Sequence, residues 1–468
     1  MYFNMSIIEQ FCNIIKNNLY LLNQKCHFSN DISDVVDGFI YKNFTKSELE
    51  NCIDKDKEII LSFIINTDGI SISDKSNITI WPIYLAINEI PKSTRFCINN
   101  MIIAGITIGD KKPNFEIFME PIVNELKKLE MGIIYDQQTK IKCFTLFGVY
   151  DKPARADILN IINSTGYSSC LKCLQVGSND ESINGGRRRV FPFDTKNPTG
   201  PKRDNVSYFE HVEEAEEYDR SVHGIKGRCI LRHLKYYHPM ENTCIDYMHS
   251  ILLGVVKTFF KYWFDGDIRK PYSLKKYMQV IDTRLLKLRP PNYVSSVPRS
   301  IYCWNKWRAH EYSSFLLYYS LPVFYKIVPH NIYVNLTKLV IFIEKILYVS
   351  IEREALLYIQ NIILDFSKEL SSLYDKSIML SGVHELLHLV ECTIQFGHLN
   401  SINCFPFEEV NRKFLNFIHG KDLIGEEFIK IFSIIQSLCT STHNDNIDNQ
   451  LQQFIEKNYL IGTSNNKS

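Results

Sequence analysis

The chain has 468 residues, of which 45% are hydrophobic and 22% are charged, and this composition excludes a disordered or fibrous protein. Its length allows roughly two to four domains, or one domain with a large insertion. The formal net charge is +1, so any contact with nucleic acid is expected to come from local basic patches.

Cysteine usage and apolar runs bear on the compartment. The chain has 13 cysteines, an odd number scattered along its length, and the N-terminus has no basic segment followed by an apolar run that would mark a signal peptide. The most apolar stretch, residues 339–351, is interrupted by Glu344 and Lys345 and falls short of the ~18 apolar residues that span a membrane. We therefore expect a soluble intracellular protein with reduced thiols and no membrane association.

The first third of the chain predicts an α/β fold. Four largely apolar runs are predicted strands: residues 58–66, 78–87, 101–108 and 141–150. Helical periodicity covers residues 115–129, and residues 154–162 predict a short helix. The order of three strands, helix, strand and helix is that of the start of an RNase H-like fold, built on a mixed sheet.

The rest of the chain is predicted to be mainly helical after a polar segment. Helical spacing recurs over residues 248–264, 311–327, 334–351, 352–373, 378–396 and 408–418. We divide the chain into an N-terminal lead-in of helix and loop, a first part of the core, a polar and mainly α-helical insertion, C-terminal helices and a tail. Their bounds are 1–57, 58–175, 176–383, 384–440 and 441–468.

Two aspartates follow predicted core strands. Asp68 precedes Gly69 after the first strand, and Asp151 directly follows the fourth. In an RNase H-like sheet these two strands are neighbours, so both carboxylates reach one end of the sheet. Carboxylate oxygens suit Mg²⁺, and a pair of ions supports in-line displacement at phosphorus. The alternative is that each aspartate is a turn residue, which is the commoner role of a single Asp-Gly.

A CxxC pair and an HxxxH pair predict a zinc site. Cys170 and Cys173 supply half of such a site or a redox motif, but no thioredoxin-like context surrounds them. His384 and His388 lie on one face of a predicted helix and would complete a Cys₂His₂ site. The alternative is a pair of histidines on a helix face with no metal.

Two further groups of polar residues have open roles. Asp246 and His249 open the first long helix of the second half, either as a cap and its neighbour or as metal ligands, DNA contacts or catalytic accessories. The basic run Arg187 to Arg189 suits contact with phosphate, although a solvated loop is the commoner explanation.

Several motifs in a fixed order carry a resemblance to a known family. They are Asn66-Thr67-Asp68-Gly69, Trp81-Pro82-Ile83, Asn88-Glu89-Ile90-Pro91, Ala104-Gly105, Lys112-Pro113, Asp151-Lys152-Pro153-Ala154-Arg155-Ala156, Gly166-Tyr167 with the CxxC pair, Gly224-Ile225-Lys226-Gly227, Asp246-Tyr247-Met248-His249 with Leu253-Gly254, the HxxxH pair, Phe407-Glu408 with Asn411, and His419-Gly420. Over roughly residues 30 to 435 the chain resembles the DDE-type transposases of CACTA (En/Spm) elements, a family related to Transib-like transposases and the V(D)J recombinase. Each motif alone is weak, but their order and spacing are specific.

The resemblance implies a catalytic core that cleaves DNA and transfers strands. Asp68, Asp151 and Glu408 correspond to the three acids that hold two catalytic Mg²⁺ or Mn²⁺ ions, with Glu409 as the rival for the third position. The relatives also place zinc between a CxxC and a later HxxxH-type element, which assigns structural zinc to the same four residues here. Arg155, Asp246 and His249 are possible accessory residues. The implied partners are transposon ends and target DNA, bound by a homodimer or higher oligomer in the nucleus.

The chain also departs from the family pattern. Only 67 residues precede Asp68, and they contain no zinc finger or recognisable helix-turn-helix. Recognition of terminal repeats is therefore expected to be missing or supplied by another chain. The alternative functions are a domesticated or fragmentary transposase-derived protein that binds DNA or partners without activity, and an RNase H-like nuclease of another family, which would lack the zinc site.

Overall fold

The computed structural model describes residues 1–23, 29–52, 57–72, 77–136, 139–181, 187–292, 294, 297–415, 418 and 423–441. Within these ranges the protein is a mixed α/β structure in which a continuous apolar core runs from a central sheet into a helical half. The motif His419-Gly420 and almost all of the predicted tail lie outside the described residues.

The strands form one large sheet and one separate hairpin. They are β1 (Tyr2–Asn4), β2 (Glu58–Thr67), β3 (Ile70–Ser71), β4 (Thr79–Ile87), β5 (Met101–Gly109), β6 (Ile133–Ile134), β7 (Lys140–Tyr150), β8 (Ser178–Glu181), β9 (Arg187–Val190) and β10 (Thr243–Ile245). The main sheet has the order β1-β5-β4-β2-β7-β10, with β3 added beside β4 and β6 beside β7, while β8 and β9 pair with each other.

The sheet is mixed because its two halves run differently. The pairs β1–β5, β5–β4 and β4–β2 are antiparallel, whereas the pairs β2–β7 and β7–β10 are parallel. β2 is buried over most of its length, as its continuous apolar sequence requires of a strand covered on both faces. A register irregularity between Ile83 and Tyr84 of β4 lies next to Pro82, which has no N–H to donate to the ladder.

Helices cover the sheet and form the second half of the chain. They are α1 (Ile7–Asn17), α2 (Phe39–Glu50), α3 (Lys92–Arg95), α4 (Phe115–Met131), α5 (Lys152–Ile158), α6 (Asn205–Glu217), α7 (Lys257–Phe260), α8 (Met278–Lys287), α9 (Ala309–Ser314), α10 (Ser320–Phe324), α11 (His330–Ile346), α12 (Ala355–Leu373), α13 (Ser381–Leu386), α14 (Leu389–Phe396), α15 (Phe405–Leu415) and α16 (Ile424–Ser441). The helix around α7 is continued on both sides by π-helical turns, Met248–Val256 and Lys261–Asp265. A π-helical segment, Phe315–Tyr319, also joins α9 to α10.

Shorter 3-10 helices connect these elements. They are Leu19–Asn23, Val35–Asp37, Ile98–Asn100, Ile230–His233, Lys275–Tyr277, Ile301–Lys306, Lys376–Ile378 and Leu399–Ser401. None of the helices that the structure describes is long and apolar enough to cross a membrane.

The prediction of an α/β fold with a mixed sheet is confirmed, and two strands of the sheet come from outside the predicted segment 58–175. β1 comes from the predicted lead-in and pairs with β5, and β10 comes from the predicted insertion and pairs with β7. Each of these strands has three residues, too few for a periodic pattern, and each exists only through pairing with a longer strand.

Candidate active site and candidate metal centre

Three neighbouring parallel strands are each followed directly by an aspartate. Asp68 follows β2, Asp151 follows β7 and Asp246 follows β10. Because the carboxyl ends of adjacent parallel strands meet at the same edge of a sheet, these three carboxylates lie along one edge, with Asp151 in the middle. β10 has only three residues and no periodic pattern predicts it, so the sequence predicts Asp246 as a cap, a metal ligand, a DNA contact or a catalytic accessory without placing it at the sheet.

Asp68 lies in a turn that only a small neighbour allows. A side chain at Gly69 would begin 2.5 Å from the ring of Trp81, so glycine is required where the chain leaves β2. Burial raises the pKa of Asp68 to about 7, and the negative charges of Asp151 and Glu408 act in the same direction. The carboxylate is therefore placed where negative charge is concentrated and incompletely compensated.

Asp151 has a structural role as well as a place at this edge. Its side chain caps α5 by accepting a hydrogen bond of 2.7 Å from the backbone N–H of Ala154. Burial nevertheless raises the pKa of Asp151, against the effects of that hydrogen bond and of the positive charges on His249 and Arg155. A structural role as a helix cap and a place in the site are thus both compatible with this residue.

Asp246 is almost fully buried and holds His249. One carboxylate oxygen accepts from the backbone N–H of His249 at 2.9 Å and lies 2.7 Å from its Nδ1. The other accepts from the backbone N–H of Cys404 at 2.9 Å, just before α15. Asp246 therefore connects the end of β10 to the segment that leads to Glu408, in addition to accepting a hydrogen bond from the first turn of the helix that follows it.

Glu408 lies in the first turn of α15, and His249 lies between its carboxylate and that of Asp246. Its Oε1 is 3.2 Å from Nε2 of His249. Burial lowers the pKa of His249, but the carboxylates of Asp246 and Glu408 outweigh it and raise the pKa to about 11. The imidazolium thus neutralises part of the negative charge at this edge.

The neighbours of Glu408 explain its orientation. Phe407 packs against the rings of Tyr84 and Phe96, with ring centroids 6.1 and 5.4 Å apart. Asn411, one turn further on, accepts a hydrogen bond of 2.7 Å from the hydroxyl of Tyr84 on β4. These contacts fix the inner face of α15 against the sheet.

The rival acid, Glu409, points elsewhere. It is exposed, and its carboxylate is paired with Arg412 at 2.6 Å. Consecutive residues of a helix are separated by about 100° around its axis, so Glu408 and Glu409 do not share a face. Of the two, Glu408 is the one in contact with His249.

The three predicted metal-binding acids are less tightly grouped than a second set of potential ligands at the same edge. Among the described residues, Asp246, His249 and Cys404 form a set whose potential ligand atoms lie within 4.8 Å of one another, whereas Asp68, Asp151 and Glu408 form no such set. Burial is the main cause of the raised pKa of Asp68, and repulsion from the carboxylates of Asp151 and Glu408 adds to it. The donor chemistry of buried carboxylates fits a hard divalent cation.

Cys170, Cys173, His384 and His388 converge, and their potential ligand atoms all lie within 4.8 Å of one another. The Cys173 Sγ to His384 Nε2 distance is 3.1 Å, the Cys170 Sγ to His388 Nε2 distance is 3.5 Å, and the two Nε2 atoms are 3.3 Å apart. Tetrahedral zinc, with its usual bond lengths, separates sulfur from nitrogen by about 3.6 Å and nitrogen from nitrogen by about 3.3 Å. The four residues can therefore hold a tetrahedral metal ion.

The predicted helix that carries the two histidines is interrupted between them. α13 ends at Leu386 and α14 begins at Leu389, yet His388 keeps right-handed helical backbone angles, so the two imidazoles still share a face. Burial opposes ionisation of Cys170, but a hydrogen bond from Cys173 and the charges of the two histidines lower the pKa of its thiol well below its usual value. A thiolate is the form of cysteine that binds zinc.

A buried ionic network joins the two clusters. Arg155 on α5 donates to Glu385 at 2.8 Å, Lys152 contacts the same carboxylate at 2.8 Å, and Ser250 donates to it at 2.7 Å. Glu385 lies next to His384, and Lys152 lies next to Asp151. Arg155, a possible accessory residue from the sequence, makes its contact with this network. Lys152, Ser250 and Glu385 were not predicted as site residues, although Lys152 belongs to the motif that begins at Asp151.

The comparisons with known proteins give little functional information. A family of proteins of unknown function, DUF1258, matches residues 3–191, which include β2, β7 and both cysteines of the Cys/His cluster formed by Cys170, Cys173, His384 and His388. No curated protein matches the chain.

Proposed function

We propose that this chain is the catalytic core of a DDE-type DNA transposase similar to those of CACTA (En/Spm) elements. It would cleave DNA strands and join them to a target in a reaction that depends on Mg²⁺ or Mn²⁺. The observation that carries the proposal is the grouping of Asp68 and Asp151, at the ends of adjacent parallel strands, with Glu408 from a distant helix.

The sheet supports the proposal through its strand order. Counting only β2, β4, β5, β7 and β10, the order across the sheet is third, second, first, fourth and fifth. The first three strands are antiparallel, and the last two are parallel to the first. This is the arrangement of an RNase H-like core, and we propose that fold here.

The proposed reaction consists of two in-line displacements at phosphorus. Water breaks a phosphodiester bond at the element end and releases a 3′-hydroxyl, which then attacks a phosphodiester of the target and displaces another 3′-oxygen. Asp68, Asp151 and Glu408 are the residues that would hold divalent ions, which when bound stabilise charge on the attacking and leaving oxygens.

His249 and Asp246 have a supporting role in this proposal. His249 holds Glu408 at 3.2 Å from its Nε2, and Asp246 fixes the ring of His249 from the other side. Such outer partners orient the groups that bind a metal, and their loss commonly costs metal affinity or activity. We assign both as positioning residues.

We also propose that Cys170, Cys173, His384 and His388 bind structural zinc. Support comes from distances near those of a tetrahedral site and from the chemistry of two thiols and two imidazoles. The zinc would connect the segment after α5 to the helices that precede α15, across 211 residues between Cys173 and His384. The proposed partners are transposon ends and target DNA, with a homodimer or higher oligomer acting in the nucleus.

The test is strand cleavage by the purified full chain. Wild-type protein is expected to nick supercoiled DNA in the presence of Mn²⁺ or Mg²⁺ and to be inactive without either ion. Asp68→Asn removes one charged ligand and is expected to lower the rate at least about a hundredfold, which corresponds to about 3 kcal/mol of transition-state stabilisation. Equal cleavage by Asp68→Asn and wild type would refute the assignment.

The remaining alternatives predict other results. A domesticated or fragmentary derivative without activity would bind DNA and show no metal-dependent cleavage. A nuclease of another RNase H-like family would cleave DNA but contain no zinc, a prediction that the convergence of the two cysteines and two histidines disfavours.

A further inference from the structure

A cavity of about 500 Å³ lies beside the Cys/His cluster. It is bounded by the loop that precedes the CxxC pair, by the β8–β9 hairpin and by the start of α13. Its lining is rich in hydroxyl groups and cationic groups, and no acidic side chain of the described residues lines it. The polar residues that matter most are Ser164, Thr165, Tyr167, Arg188, Arg189 and Ser381.

Arg189 is held in place, but one of its hydrogen-bond donors has no acceptor among the described residues. Its guanidinium carbon lies 3.1 Å from the centroid of the Tyr167 ring, and its Nε donates to the backbone carbonyl of Thr165 at 3.3 Å. Its Nη1 is buried and has no hydrogen-bond partner among the residues that the structure describes. Nη1 itself is shielded from solvent, but the guanidinium charge lies at the cavity wall and no carboxylate of the described residues lines the cavity, so this geometry favours an anionic ligand.

Arg188 brings a second charge to the same cavity. Its side chain is exposed, and its Nη1 has a long contact of 3.4 Å with the hydroxyl of Tyr262. Two arginines with hydroxyls around them offer the fork-like donors that match phosphate oxygens.

The cavity has a fixed position relative to the acids. Phe191, directly after β9, stacks on His384. The Cys/His cluster therefore anchors the hairpin that carries the two arginines. On the other side, Ser381 accepts a hydrogen bond of 3.2 Å from Lys152, the residue after Asp151. A DNA strand leaving the acidic edge at Asp151 would meet this basic cavity next.

We infer that this cavity binds a backbone phosphodiester of the DNA strand that enters the carboxylate site. The inference rests on the proposed function and adds a location for part of the substrate. Arg188 and Arg189 pair with the phosphate oxygens, and Ser164 and Ser381 offer further donors from the two walls. The contact is to the backbone and carries no base specificity.

The test measures DNA binding without catalysis. A short fluorescein-labelled DNA duplex of mixed sequence is titrated with the full-length protein, purified with its metal, in buffer without Mg²⁺ or Mn²⁺ and at several KCl concentrations. The site variant is Arg188→Gln with Arg189→Gln. The matched control is Arg220→Gln with Arg269→Gln, which removes the same charge from two exposed arginines elsewhere.

The site variant is expected to bind roughly tenfold more weakly, and the slope of log K against log salt should fall by about 1 for each lost phosphate contact. The control should keep nearly the wild-type slope. Should the double variant fail to fold, Arg188→Gln alone changes only an exposed side chain and should lower the slope by about 1.

Equal slopes for the site and control variants would overturn the inference. So would tighter binding of an RNA duplex of the same sequence through the same arginines, because the cavity would then serve RNA. Since the assay omits Mg²⁺ and Mn²⁺, its outcome is independent of strand cleavage. If wild-type protein cleaves DNA and the arginine variant binds DNA normally, only this inference is refuted. If the arginine variant loses DNA binding but wild-type protein does not cleave DNA, only the proposed function is refuted.

Discussion

Arg155 and Glu385 form a buried ion pair, with Nη2 and Oε1 2.8 Å apart, that joins α5 to α13. The side chains are 3% and 2% exposed, so the pair is shielded from water and salt. Each partner belongs to an element that carries a candidate ligand, Asp151 before α5 and His384 within α13. The pair therefore links the acidic edge of the sheet to the Cys/His cluster.

Removing one partner of this pair should strongly destabilise the protein. Arg155→Met leaves the carboxylate of Glu385 buried with Lys152 and Ser250 as partners, and the loss of one partner of a buried ion pair costs up to about 3–5 kcal/mol. Arg412→Gln is the control, because it removes an exposed pair with Glu409 that is worth about 0–1 kcal/mol. Urea unfolding followed by circular dichroism measures both, and equal effects would show that the buried pair has no special weight.

Metal content tests the proposed zinc site. Purified wild-type protein is expected to contain about one zinc per chain, and a chelator that removes it should lower the melting temperature. Cys173→Ser should lose the metal, whereas Cys303→Ser, which changes an exposed cysteine, should retain it. Elemental analysis gives the answer, and zinc retained in full by Cys173→Ser would rule the site out.

The pH dependence of stability should reflect the pair of Asp34 and Arg95. Burial opposes ionisation of Asp34, but the Arg95 guanidinium, bonded at 2.8 and 2.6 Å, holds the pKa of that carboxyl below its usual value. Because the folded pKa is the lower one, the stabilisation is present above the unfolded pKa of about 3.9 and is lost as pH falls through the folded pKa.

Wild type should therefore lose more unfolding free energy than Asp34→Asn when the pH is lowered from about 5 to about 3. Urea titrations at a series of pH values measure the difference between the two proteins, in which the contributions of the other carboxyl groups largely cancel. A difference that stays constant with pH would contradict the lowered pKa of Asp34.

The long strands and the two cysteines and two histidines of the Cys/His cluster could be predicted from the sequence, because both depend on local patterns. β2 and β7 are long apolar runs, and the CxxC and HxxxH pairs have the spacing of metal ligands. β1 and β10 could not be predicted, because a strand of three residues is stabilised by its neighbour in the sheet. The position of Asp246 could not be predicted for the same reason.

Contacts between segments that are distant in the chain could not be predicted from the sequence either. His249 and Glu408 are 159 residues apart, and Glu385 is 135 residues from Ser250. No periodicity connects such pairs. The packing of α13 against the helix that begins at Met248, and of α15 against the sheet, brings them together. The sequence could show which residues carry useful chemistry, but not that an imidazole lies between two carboxylates.

Replacing His249 should change the Mn²⁺ concentration required for cleavage more than it changes the stability of the fold. His249→Gln removes the cation that holds Glu408, so roughly 10- to 100-fold more Mn²⁺ is expected for half-maximal cleavage, as for other partners of metal ligands. His310→Gln changes an exposed histidine and should leave the requirement unchanged. If the two variants needed the same Mn²⁺ concentration, His249 would have no positioning role.

The central claim is tested most directly by comparing two adjacent acids in Mn²⁺-dependent cleavage of supercoiled DNA. Glu408 faces His249 and the aspartates, whereas Glu409 is paired with Arg412 on the outer face of the same helix. Glu408→Gln should reduce the cleavage rate at least about a hundredfold, and Glu409→Gln, with the same change of charge one residue away, should keep nearly the wild-type rate. Equal rates for the two variants, or a larger loss in Glu409→Gln, would contradict the account.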